Sequence, residues 1–148
     1  MILKYIRSVL SASGNTDIGI LVLRSFTGLL MFFNHGMGKI TAGGQKWDRL
    51  GHALTDLIGL DFLAIFFGFM ASFAESIGAL FIVIGLFTRV SSFLLFFTMG
   101  VASFKHLMES DFSELAFVYA LVSLVIMITG SGKCSVDNYL SQKLQKND

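Results

Sequence analysis

Six side chains in this chain have types and placements suited to proton and ligand chemistry: Glu75, His35, Arg24, Lys39, His106 and Glu114. Glu75 sits in the middle of an almost wholly apolar stretch, residues 62–87. A carboxylate in hydrocarbon costs roughly 2.5–3.5 kcal/mol on insertion scales, so it must face protein or water. Gly68, Ala71, Glu75, Gly78, Ile82 and Gly85 recur in alternating steps of three and four, which makes one helical seam. Small residues on such a seam let helix backbones approach closely. Glu75 is therefore expected to point into a helix bundle. Arg24, Gly28, Met31, His35 and Gly38 share one face of an earlier apolar run, with Lys39 at its edge. If the two helices run antiparallel, Arg24 and Glu75 lie within about two turns of each other in height, near 10 Å at 5.4 Å per turn. A pair between them is the expectation. His35, Lys39, Lys105, His106 and Glu114 gather toward the opposite, outer level.

An acid, a base and two imidazoles around a polar cavity can exchange the protons that accompany two-electron quinone chemistry. In that reading Glu75 and His35 are the catalytic, proton-handling groups. Arg24 holds Glu75 charged or orients the ligand, Lys39 and Glu114 shape the outer mouth, and His106 adds to ligand binding. The same residues have plainer uses. Arg24 with Glu75 can be a structural ion pair, because an intramembrane charge needs a partner in any case. Lys39, Lys105 and Arg89 near helix ends suit snorkelling anchors. Glu114 favours the start of its helix through the dipole, and His52 reads as solvated. His35 and His106 at similar height admit a haem, but a bare His pair specifies little and haem is not expected. Cys134 is the only cysteine, so an intramolecular disulfide and CxxC redox work are ruled out. No Cys/His cluster has zinc spacing, and no metal is expected.

The elements that must position these groups are transmembrane helices. The 148 residues are 54% hydrophobic, with a mean hydropathy of +0.73, too apolar for a soluble domain of this size. A net charge of +1 gives no electrostatic case for nucleic acid. Apolar runs predict spans at about 18–37, 62–87, 90–106 and 114–130, the last two near the lower length limit. Asn15 or Thr16 offers an N-cap to the first. Residues 1–10 read as a short interfacial helix or as a basic flank. Between the first and second spans, Trp47, Leu50, Leu54, Leu57 and Ile58 recur at helical spacing among charged residues. This predicts an amphipathic interfacial helix ended by Gly59, with Trp47 in the headgroup zone. The tail from Lys133 reads as a short surface helix or a frayed end. The fold class is all-α: one integral domain, a four-helix transmembrane bundle with that short interfacial helix. A six-to-four excess of basic residues places both termini in the cytoplasm.

Arg24 and Gly28, His35-Gly36-x-x-Lys39, Glu75 in its small-residue helix, and Gly85-Leu-Phe-Thr88-Arg89 together resemble the DoxX family of bacterial membrane proteins. Glu114 before the last span and Gly130-x-Gly132-x-x-Ser135-x-Asp137 after it extend the resemblance. It implies a four-helix, multi-pass protein of the bacterial cytoplasmic (inner) membrane, similar to subunits linked with quinol oxidase and thiosulfate:quinone oxidoreductase. It marks Arg24, His35, Lys39, Glu75, Arg89, Glu114 and Asp137 as positions of interest. The expected function is a quinone-linked redox protein or the membrane subunit of an oxidoreductase complex. Expected partners are the lipid bilayer, a quinone, and a soluble redox enzyme or another membrane subunit, with an oligomer open. The alternative is a non-catalytic scaffold or assembly factor that docks a soluble redox enzyme. A small-molecule permease is a third reading and would need a continuous water path.

Overall fold

The computed structural model describes residues 15–146. Their regular structure is all helical: α1 (Thr16–Ile40), α2 (Gly44–Ile58), α3 (Asp61–Ile84), α4 (Thr88–Met108), α5 (Glu114–Thr129) and α6 (Val136–Gln145). The helix or flank expected over residues 1–10 lies outside the described residues. The boundaries follow from local chemistry. Asn15 caps α1 through its side-chain oxygen, which accepts the Ile18 N–H at 3.4 Å. Ser113 and Ser135 cap α5 and α6 in the same way, at 3.4 and 3.1 Å. Gly59 ends α2 with φ 69°, and Gly85 ends α3 with φ 71°. Both need the left-handed conformation that glycine adopts without penalty. The apolar stretch that predicted a span to residue 87 therefore stops at Ile84, and α4 starts at Thr88.

α1, α3 and α4 are long and apolar enough to cross a membrane. α5 has 16 residues, about 24 Å at 1.5 Å per residue. The four share one core, formed by Met31 of α1, Ala79 and Ile82 of α3, Leu95 and Met99 of α4, and Ala120 and Ile126 of α5. Phenylalanines and aliphatic residues cover the outward faces, among them Phe26, Phe33, Phe62 and Ile128. That pattern is inverted relative to a soluble bundle and suits lipid as the surrounding solvent.

Glycines set the helix pairings. Gly28 faces the backbone of Ala79 and Val83, and Gly36 faces that of Glu75 and Ser76, so α1 and α3 run antiparallel at close range. Gly51 lies on the Ala64 backbone and Gly68 on that of Trp47, so α2 folds back along the first half of α3. Trp47 is half-buried, with its ring 5.1 Å from that of Phe69. Its indole N–H donates to the Lys39 carbonyl at 3.0 Å.

The loop after α5 ties together the end where α3 turns into α4. The Asp137 carboxylate accepts the Phe87 N–H at 2.8 Å, the Thr88 N–H at 2.9 Å and the Thr88 hydroxyl at 2.8 Å, and so caps α4 from the far end of the chain. The Asp137 N–H donates to the Gly85 carbonyl at 2.9 Å. Asp17 of α1 accepts the Lys133 N–H at 3.1 Å and meets its ammonium at 3.2 Å.

Candidate functional site

Two π-turns build the site. α1 widens over Phe32–Gly36 and α3 over Ala74–Gly78, and the two turns lie against each other. A π-turn inserts one extra residue into a helix and so advances its inward face by one position. On α1 the buried face runs Arg24, Thr27, Gly28, Met31 and then Gly36, where an unbroken α-helix would have presented His35. The same advance brings Lys39, rather than Gly38, to the inward side. On α3 the turn carries Glu75 itself, 2% exposed, and the Ser76 hydroxyl donates to the Ser72 carbonyl at 2.6 Å.

Lys39 and Glu75 meet there. The ammonium lies 2.7 Å from Oε1 and 2.6 Å from Oε2, so both carboxylate oxygens accept from one cation. The pair forms one wall of a cavity of about 120 Å³ between α2, α3 and α4. The other walls are apolar, with Leu54 of α2, Phe67 and Met70 of α3, and Phe97 and Val101 of α4. The arrangement is an apolar cleft with a charged pair at its head. It can hold a molecule with a polar ring and an apolar body, and it can give or take a proton at one end.

Of the residues singled out by sequence, the structure brings Lys39 and Glu75 together at this cleft. The expected Arg24–Glu75 pair does not form. Arg24 is 1% exposed and donates to the carbonyls of Ile82 (3.1 Å), Val83 and Cys134. Its guanidinium thus binds carbonyls of the last turn of α3 and fastens the loop after α5 to them. The cause is register. Gly36, not a residue nearer Arg24, lies level with Glu75, and Val83 is eight residues from Glu75, about 12 Å along the helix. His35 is half-buried and packs edge-on against Tyr119, with ring centroids 6.0 Å apart. His106 lies beside Asp111 at 3.9 Å near the end of α4. Glu114 is exposed in the first turn of α5. Arg24, His35, His106 and Glu114 do not line the cleft. The signal for the α2 wall was present but unread. Gly51 sits mid-helix, where glycine costs about 1 kcal/mol relative to alanine, and such a glycine marks a close approach.

At the far end of α2, His52, Asp56 and Asp61 place one donor atom each within 4.8 Å of one another. The grouping depends on the Gly59 turn, which returns Asp61 toward α2. His52 Nδ1 is 2.9 Å from Asp56 Oδ1, and Lys105 of α4 donates to Asp56 Oδ2 at 3.3 Å. The His52 hydrogen bond, followed by Lys105, holds the Asp56 carboxyl below its ordinary value. A carboxylate lowered in the folded state stabilises the fold above its unfolded pKa, and this is lost as pH falls through the folded value. The melting temperature of wild type should therefore exceed that of Asp56→Asn near pH 7. The gap should close as pH drops below the ordinary Asp value of about 3.9. A gap independent of pH would show that the ionised form is not what ties α2 to α4.

The sequence model of the DoxX family matches residues 19–107. An uncharacterised protein of Haemophilus influenzae is 31% identical over 83 residues, covering 50% of this chain and 62% of the relative. The chain thus spans about three fifths of that relative's length. No solved structure matches.

Proposed function

The chain belongs to the DoxX family, and from that premise we propose that it is a quinone-linked membrane protein, the membrane subunit of a redox complex in the bacterial inner membrane. In this reading α1, α3, α4 and the shorter α5 form a four-span bundle, α2 lies toward the outer interface, and both termini are cytoplasmic. One observation carries the proposal: the Lys39–Glu75 pair, its carboxylate buried, at the head of a largely apolar cleft. A cavity of about 120 Å³ is on the scale of one six-membered ring, since about 150 Å³ lined by apolar side chains holds benzene. A quinone supplies reversible two-electron, two-proton chemistry when bound. Leu54, Phe97 and Val101 would flank the ring and tail, and the Lys39 ammonium would donate a hydrogen bond to a ring oxygen. Glu75 would hold Lys39 in place and exchange a proton at its carboxylate. A soluble redox enzyme docked on the membrane face would supply the electron pair.

Trp47 is the only tryptophan and packs beside the cleft wall, so it can report binding. In phosphatidylcholine nanodiscs, decylbenzoquinone is expected to quench Trp47 fluorescence saturably. Ala102→Phe, which fills the cleft, should remove the saturable part. Lys39→Gln should weaken binding about tenfold, the loss of one charge-assisted contact to the ring oxygen of roughly 1.4 kcal/mol. Quenching that rises linearly and equally in wild type and Ala102→Phe would overturn the reading. The scaffold alternative predicts instead that Glu75→Gln leaves recovery of a partner enzyme intact while Trp47→Ala abolishes it.

A further inference from the structure

At the other end of α3 lies a polar cavity of about 470 Å³, bounded by the start of α1, the start of α4, the loop after α5 and the first turns of α6. Its walls include Asp17, Arg89, Ser131, Lys133, Asp137 and Ser141. Both carboxylates are already committed. Asp137 takes three donors from Phe87 and Thr88, and Asp17 takes the Lys133 N–H and ammonium. Arg89 differs. It is exposed, and no hydrogen bond or ion pair engages it among the described residues. Its guanidinium lies over Gly130, where an added Cβ would sit 3.7 Å from Nε and 3.8 Å from Nη2. Gly130 at φ 80° and Gly132 at φ 69° turn the loop beneath it.

We propose that this cavity holds a phosphate group, with Arg89 as its partner. Guanidinium and phosphate match in geometry, two N–H donors to two oxygens, and an Arg that donates to none of the described residues keeps its N–H groups for that contact. The cavity's position favours a lipid phosphate over a soluble one. α3 ends and α4 begins here, so the site lies where apolar helix meets water. Basic side chains at that level bind acidic headgroups. This inference does not depend on the quinone reading.

The test uses the full chain, purified in neutral detergent, with melting temperature as the readout. Phosphatidylglycerol, well above its dissociation constant, is expected to raise the melting temperature by about 5 °C over the same amount of diacylglycerol, which has the tails without the phosphate. Arg89→Ala should lose that increment, and Arg89→Lys should keep less than half of it. Lys143→Ala, which removes an exposed base outside the cavity, should keep all of it. Circular dichroism of Arg89→Ala should match wild type, since Arg89 bonds none of the described residues. An increment of the same size from inorganic phosphate would overturn the lipid assignment. Equal increments in wild type and Arg89→Ala would overturn the site.

Discussion

Lys39→Met is expected to destabilise the protein by about 3–5 kcal/mol, because it leaves Glu75 charged, buried and without its cation. Lys39→Met combined with Glu75→Leu should recover most of that loss, since replacing both members of a buried pair by apolar groups of similar volume is commonly neutral or stabilising. Glu75→Gln should cost less than Lys39→Met, because its amide oxygen still accepts from the ammonium. Chemical denaturation in detergent measures all four proteins on one scale. A double variant as unstable as Lys39→Met would mean that the damage lies in lost packing. The same double variant separates stability from function. It should be folded and yet lose the saturable response of Trp47 to quinone. If it is stable and still responds, the pair serves the fold and not the ligand.

Gly68→Ala, Gly51→Ala and Gly36→Ala should each cost about 3 kcal/mol or more, at or beyond the upper end of ordinary overpacking. A methyl at any of the three would overlap a main-chain carbonyl of the facing helix: Trp47 for Gly68, Ala64 for Gly51 and Glu75 for Gly36. A side chain could turn aside, whereas a helix backbone moves only if the whole contact opens. Gly51→Ala and Gly68→Ala act on the same crossing, so together they should cost less than the sum of the two. Gly100 and Gly19 are the internal comparison. Nothing lies within 4 Å of an added Cβ at either, so alanine there should be neutral or stabilising by up to about 1 kcal/mol. Thermal melts and limited proteolysis between α1 and α2 distinguish the two groups. Equal behaviour of Gly100→Ala and Gly68→Ala would contradict the packing described.

The outcome at individual residues shows what a sequence can carry. The seam of small residues in α3 was legible because α-helical periodicity is local. Gly68, Glu75, Gly78, Ile82 and Gly85 are all buried, and Ala71 is half-buried. The burial of Glu75 followed from the cost of a charge in hydrocarbon. Its partner was not legible. Choosing between Arg24 and Lys39 requires the vertical register of two helices and the position of a π-turn, and neither leaves a periodic mark. The polar composition of α2 points to an interface, and Gly51 is what lets it pack onto α3. Asp137 was marked only by resemblance. Its role in capping α4 from 49 residues away depends on a chain return that no local pattern encodes.

Arg24 also has a consequence in time. The Cys134 carbonyl it holds lies 110 residues further along the chain, roughly 5–20 s of synthesis at 5–20 residues per second. Until that residue emerges from the ribosome, the guanidinium has at most the carbonyls of Ile82 and Val83, and α4 lacks the carboxylate that caps it. The nascent bundle is therefore open at the end where Arg24 sits, and the stretch after α5 is the one that closes it.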